Sequence, residues 1–352
     1  MKAPVFTRFL TAITIALLPF VLGAVGQSQS HASSSPFRNH FEKIADGVYL
    51  ALGNGVGGNS IVVINDKDVL VVDSRSNPEE ARALVAGIKT LTDKPIRFVV
   101  NTHYHFDHTQ GNQIFGPEVL IIGSEFTRHQ LLSNPLNQRT VRTSPNQGML
   151  PQNIENVKKQ FAAETDTKKK AMLQEQLATM EASEADLKEI VVTPNNVTVH
   201  EKLVLFRGGR EIQILFLGRG HTGGDVVVYL PKERIICTGD LMEDKPSYMG
   251  DSYPQEWVAT LDKLKALDFV TVLPGHGMPF TGREKITAFQ GYVRDAWKQA
   301  SELKKQGVSL DDAVKRVDLT AYAKVFPTIQ GPGLDKRQLT RFYLLLDGKD
   351  EY

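Results

Sequence analysis

The chain has 352 residues, 41% of them hydrophobic and 23% charged, which suits one large α/β core with an appendage and excludes a disordered or fibrous protein. Lys and Arg number 41 against 40 Asp and Glu, a net charge of +1 that excludes a surface built for nucleic acid. A single cysteine, Cys237, excludes an intramolecular disulfide.

The chain opens on Lys2 and Arg8, then a mostly apolar run over 9–25 interrupted by Pro19, then small residues. That order reads as a secretory signal peptide over 1–26. It predicts a periplasmic or secreted mature protein with no lasting membrane anchor. Residues 27–40 are polar and Ser-rich and read as a mobile leader.

Short β-type runs follow at 48–52, 60–65 and 68–73. The Gly-rich stretch 53–58 joins the first two; no helix follows it, so it reads as a hairpin loop rather than a phosphate cradle. Asn65-Asp66-Lys67-Asp68 reads as a tight turn. Over 78–91, Ala81, Leu84, Val85 and Ile88 share one helical face, with Pro78 just inside the start. A strand at 96–100 completes a βαβ unit with a parallel pair.

From about 153 to 190 the chain is rich in Lys, Glu, Gln and Ala, with Leu173, Leu177 and Met180 at helical spacing. Ser183, three residues before Asp186, reads as a cap that restarts a helix, so a helical hairpin is expected here as a surface excursion. A second β-rich half has strands at 212–217, 226–230, 235–237 and 270–273, with a helix at 256–267. Helices at 286–306 and 310–317 and an apolar stretch at 339–346 form a C-terminal helical extension over 286–352, leaving 41–285 as the main domain.

The segment that carries chemistry is Asn101-Thr102-His103-Tyr104-His105-Phe106-Asp107-His108, at the end of the 96–100 strand. Three of the chain's 9 histidines fall here within six positions. Histidines at i and i+2 on extended backbone project to one side and reach one metal ion, while Asp107 and His108 lie where the chain turns and address a second. Further ligand types follow other strands between glycines: His221 in Gly220-His221-Thr222-Gly223, Asp240 in Gly239-Asp240, and His276 in Gly275-His276-Gly277. Strand ends of this kind are where α/β folds place sites. Ser301-Glu302-Leu303-Lys304 has the spacing of a serine-hydrolase motif without its companions and reads as a solvated helix face. Cys237 reads as a small buried apolar residue, and His129 and His200 as structural.

Together these residues resemble the metallo-β-lactamase superfamily over about 48–280. The resemblance implies a four-layer αββα sandwich in the α/β class and two zinc ions, with other divalent metals open to the same donors. It implies His103, His105 and His221 on one ion, Asp107, His108 and His276 on the other, and Asp240 between them, with Asp73 supporting a ligand. Two zinc ions bring four positive charges, of which Asp107, Asp240 and a bridging hydroxide remove three; the remainder acidifies bound water and stabilises an oxyanion. Asp107 and Asp240 are thus the expected catalytic residues. An aspartate bridge is more similar to the glyoxalase II, lactonase and phosphodiesterase branches than to true β-lactamases. The expected activity is hydroxide attack on the ester, lactone, thioester or amide carbonyl of a small molecule. Alternatives are β-lactam or phosphodiester cleavage, or metal binding without turnover. Tyr248 and Tyr253 are candidate donors to an oxyanion, and Arg219 a candidate partner for a substrate carboxylate. Nothing in the sequence sets an oligomeric state.

Overall fold

A computed structural model describes residues 40–53, 57–133, 136 and 139–350. The expected signal peptide and all but the last residue of the expected leader lie outside the described residues. In chain order the elements are β1 (Phe41–Ala45), β2 (Val48–Ala51), β3 (Ser60–Ile64), β4 (Val69–Val72), α1 (Pro78–Leu91), β5 (Ile96–Val100), α2 (Phe106–Thr109), β6 (Leu120–Ser124), α3 (Glu125–Leu132) and α4 (Arg139–Arg142). The inserted hairpin is α5 (Leu150–Ala163) and α6 (Thr167–Lys188). There follow β7 (Val197–Val199), β8 (Lys202–Arg207), β9 (Arg210–Phe216), β10 (Val226–Leu230), β11 (Ile235–Gly239), α7 (Pro254–Lys265), β12 (Thr271–Pro274), β13 (Phe280–Thr281), α8 (Glu284–Lys305), α9 (Leu310–Arg316) and α10 (Lys336–Leu346).

The strands make two sheets, ordered β1-β2-β3-β4-β5-β6-β7 and β13-β12-β11-β10-β9-β8. Three apolar clusters define the layers. One lies between the sheets, where Val72, Val100 and Ile122 of the first meet Ile214, Val228, Cys237 and Leu273 of the second. Another packs α1, through Leu84 and Ile88, on Val71, Val99 and Ile121 of the first sheet's outer face. The third packs α7, α8 and α10, through Trp257, Phe289 and Phe342, on Val227, Ile236 and Val272 of the second. This is the αββα sandwich. It explains why β10 is an unbroken apolar run and β11 is buried along its whole length: both faces are covered, so alternation disappears.

Local chemistry matches the elements. Asn77 caps α1 by accepting from the Glu80 amide at 2.8 Å, with Pro78 at the first turn. Strands β4 and β5 pair in parallel across that helix. The insertion is helical, but the expected restart at Ser183 is absent because α6 runs unbroken. Its cap is Asp166, which accepts from the Lys169 amide at 2.9 Å, and the Ser183 hydroxyl instead donates back to the Thr179 carbonyl at 3.0 Å. No residue of α6 is buried, whereas Leu150, Ile154 and Val157 anchor α5. Strands β1, β6, β7, β8 and β13 were not legible. β1 and β8 lie at sheet edges with mixed exposure, and β6 carries Gly123. No helix among the described residues is long and apolar enough to cross a membrane.

Candidate metal centre

The seven expected ligands converge at one edge of the sandwich, from loops that follow β5, β9, β11 and β12. The loop after β5 is held by a reciprocal amide pair, Asn101 Nδ2 to Asn112 Oδ1 at 3.0 Å and Asn112 Nδ2 to Asn101 Oδ1 at 2.9 Å, while Asn101 also donates to the His108 carbonyl at 3.1 Å. The Val226 amide donates to the Thr102 carbonyl at 2.8 Å and joins this loop to the second sheet. Asn59 ties the sheets on the other side, its amide donating to the Gly275 carbonyl at 2.6 Å and its side chain to Pro274 and Gly277 carbonyls at 3.1 and 3.0 Å. Gly239 takes φ +51°, and a Cβ there would overlap Thr102 Oγ1, so only glycine lets Asp240 turn into the site.

Two groups of ligand atoms result, each within 4.8 Å: His103, His105, His221 and Asp240 form one, and Asp107, His108 and His276 the other. His105 Nδ1 and His221 Nε2 are 3.0 Å apart. Asp240 lies between the groups, with Oδ2 at 3.6 Å from His221 Nε2 and 3.4 Å from His276 Nε2, and Oδ1 at 3.4 Å from His108 Nε2. His276 Nε2 meets Asp107 Oδ2 at 2.9 Å.

The opposite edge of three imidazoles is already engaged. His108 Nδ1 contacts Asp73 Oδ2 at 2.8 Å, His103 Nδ1 contacts Thr102 Oγ1 at 3.0 Å, and His105 Nε2 contacts Asp251 Oδ2 at 3.0 Å. Thr102 in turn donates its amide and hydroxyl to Asp73 at 2.8 and 2.9 Å. Asp73 holds this position at φ +61°. His103 Nε2, His108 Nε2 and Asp240 Oδ1 are buried without a hydrogen-bond partner. Imidazoles with one nitrogen fixed by an acceptor and the other orphaned toward carboxylates are the pattern of metal ligands, so these residues fit a pair of divalent ions.

Electrostatics agree. Burial, then neighbouring His108 and His105, keep His103 well below the ordinary histidine range. Burial, then His105 and His108, lower His221 to about 3, so both stay neutral as metal ligands require. Burial opposes the charge of Asp107, but His108 and His276 outweigh it and hold the carboxyl well below its usual range. Burial also opposes protonation of His108, yet Asp240, Asp107 and Asp73 outweigh it and raise that group. Four positive charges from a metal pair would replace those protons.

His105, Asp107, His221, Asp240 and His276 floor an open cleft of about 570 Å³ walled by Phe106, Ser144, Asn146, Glu243, Lys245, Tyr248, Thr328, Arg337 and Gln338. Burial, then the charge of Asp240, push Glu243 up to about 8. Tyr248 sits in the wall, its ring 6.4 Å from that of His105 and 5.0 Å from the Arg337 guanidinium. Arg219 and Tyr253 do not line the cleft. Arg219 forms a bidentate pair with Glu256 and stacks at 4.0 Å on Tyr253, whose hydroxyl reaches Asp350 at 3.1 Å; both are spent on each other and on the C-terminal segment. Sequence reasoning missed Thr102, Asp251, Glu243 and Arg337. Thr102 adjoins the motif, and Glu243 and Asp251 lie in the loop after Asp240 that the sequence places over the ligands, without marking which of its side chains turn inward; Arg337 reaches the site only through the fold.

The family model of the metallo-beta-lactamase superfamily matches residues 53–118 and 143–276. The chain belongs to this superfamily. It is 26% identical over 269 residues to a linear primary-alkylsulfatase of Pseudomonas sp. (strain ATCC 19151), covering 71% of this chain and 48% of that protein. It is 22% identical over 283 residues to the 2,4-dinitroanisole O-demethylase subunit alpha of Nocardioides sp. (strain JS1661), covering 80% and 68%. The chain thus spans about half the length of the alkylsulfatase. Among solved structures, the inverting sec-alkylsulfatase Pisa1 from Pseudomonas sp. superposes with a TM-score of 0.62 at 15% identity, over 87% of this chain and 50% of that one. A metallo-beta-lactamase from Pontibacter korlensis gives 0.53 at 18% identity, over 73% and 99%. At these identities the superpositions speak to the fold. Superfamily membership and the two His/Asp clusters give the chain a candidate divalent-metal site.

Proposed function

We propose that this protein is a binuclear zinc hydrolase, working in the periplasm or outside the cell, that cleaves an ester, lactone, thioester or amide bond of a small molecule. The observation that carries the reading is the convergence of seven side chains into two ligand groups about Asp240, with three buried ligand atoms left without partners. Bound divalent ions supply the positive charge that acidifies water and steadies a developing oxyanion. The chain's own residues supply orientation. Asp107 lines the cleft, where its carboxylate is placed to orient an attacking water. Tyr248 lines the cleft wall with its ring, while its hydroxyl is buried against Gly250. The cleft's size suits a small molecule.

A second reading, cleavage of a sulfate ester, is favoured by the likeness to a linear primary-alkylsulfatase and by the cations Lys245 and Arg337 in the cleft wall, although Arg337 already pairs with Asp335 at 3.1 and 3.2 Å. The test is turnover by the zinc-loaded protein, beginning at about Gln27, of a chromogenic cephalosporin, a lactone, a thioester, a phosphodiester and an alkyl sulfate, beside His103→Ala. Zinc-dependent cleavage of a carbonyl substrate, lost in the variant, supports the first reading. Cleavage of the sulfate alone replaces it with the second. Silence on all five with two zinc ions bound sinks the hydrolase reading.

A further inference from the structure

Helix α10 lies outside the segments that the family model matches, yet it carries Arg341, a guanidinium with no solvent exposure. Burying such a charge is unfavourable unless its partners are well placed. Arg341 Nε donates to the Ser252 carbonyl at 3.0 Å, Nη2 donates to Asp350 Oδ1 at 2.8 Å, and the group lies 4.9 Å from the Tyr253 ring centre. Tyr253 closes the set through its hydroxyl on Asp350 Oδ2.

What Arg341 grips is the middle of a three-residue segment that touches the metal centre from both ends. Before Ser252, Asp251 holds His105 Nε2 at 3.0 Å. After it, the Tyr253 amide donates to the Gly220 carbonyl at 2.8 Å, immediately ahead of His221. Asp251 and Ser252 belong to neither helix nor strand; the Ser252 amide and hydroxyl turn back within the loop to the Met249 carbonyl, at 3.3 and 2.8 Å, whereas Arg341 ties the segment to a helix. His108 of the second ligand group is held separately, by Asp73.

We propose that Arg341 is a positioning residue: from the C-terminal helix it sets the 251–253 segment, and through it the convergence of His105 and His221. The link to metal rests on the binuclear reading above. The link to His105 stands without it.

The test uses the full mature chain with Arg341→Met and Arg341→Lys, and Arg283→Met as a matched control. Arg283 also grips backbone carbonyls, of Lys265 at 2.8 Å and Leu267 at 2.6 Å, but none of the metal centre. Metal-free protein is titrated with zinc against a chromophoric chelator, beside His105→Ala and His276→Ala to assign the two steps. The His105 imidazole N–H is followed by NMR in the same metal-free samples, with thermal unfolding as the stability readout. Arg341→Met is expected to weaken by 10- to 100-fold only the step that His105→Ala removes, and to lose the protected His105 N–H signal. Arg341→Lys recovers part of both, and keeps the test open if the Met variant does not fold. Arg283→Met lowers Tm and leaves both zinc steps and the signal intact. Equal weakening of both steps, or an unchanged His105 signal in the Arg341 variants, overturns the proposal. If wild-type protein binds no zinc, the function reading fails while the NMR signal still decides the role of Arg341.

Discussion

Asp73→Asn is the sharpest probe of how the ligands are oriented. The Asp73 carboxylate accepts three contacts: the Thr102 amide on Oδ1, and the Thr102 hydroxyl and His108 Nδ1 on Oδ2. Asparagine keeps the shape and tolerates the left-handed backbone at φ +61°, but replaces one acceptor by an NH₂ donor. If that donor faces His108, the imidazole must accept at Nδ1, which moves its proton to Nε2 and removes the lone pair aimed at the metal. If it faces Thr102, it meets the amide N–H. Either way one buried donor loses its acceptor, at about 1–3 kcal/mol of stability. Loss of a carboxylate behind a metal-binding histidine weakens metal binding by about 10- to 100-fold. Zinc titration should therefore show the Asp107–His108–His276 step weakened by that factor and the other step, which Asp73 reaches only through Thr102 and His103, weakened less, with a Tm several degrees lower. Wild-type affinity at both steps would refute the argument that Asp73 sets the tautomer of His108.

Other expectations follow from the same geometry. Gly275→Ala puts a methyl against Asp240 Oδ1, 2.8 Å from the Gly239 carbonyl carbon and 3.0 Å from His108 Cε1, so Asp240 must move; loss of bound zinc by elemental analysis is expected, and two ions retained at wild-type affinity would contradict the crowding. Cys237→Ser should lower Tm by burying a hydroxyl in the inter-sheet core yet keep full zinc content, since zinc loss would make Cys237 a ligand. Asp225 is pushed by burial to about 7 from an ordinary 3.8. A carboxyl raised on folding stabilises the fold below about pH 4 and loses that contribution as pH rises towards 7, on the order of 4 kcal/mol for a shift of this size. Metal-free protein should therefore lose stability over that range by denaturant titration. Asp225→Asn should flatten the dependence, and an unchanged slope in the variant would rule Asp225 out as its source.

The amino-acid sequence by itself determined the pieces whose signal is local. Periodicity marked α1 and the strands β3, β4, β5, β10 and β11, because a buried strand or an amphipathic helix announces itself over a few residues. The spacing His103-x-His105-x-Asp107-His108, with Asp240 and His276 directly after strands, named ligands that the parallel arrangement then carried to one edge. Tertiary structure alone decided the rest, because it concerns residues far apart in the chain. Asp251 meets His105 across 146 positions, and Arg341 meets Ser252 across 89. Arg219 and Tyr253 are as polar as any site residue, yet the fold pairs them with Glu256 and Asp350 and turns them away from the cleft. Ser183 has the composition of a cap, but the chain on both sides of it stays helical and its hydroxyl closes on the preceding turn. A side chain's type follows from the sequence, whereas its partner follows from which loops the two sheets bring together, and function at this site depends on the partners.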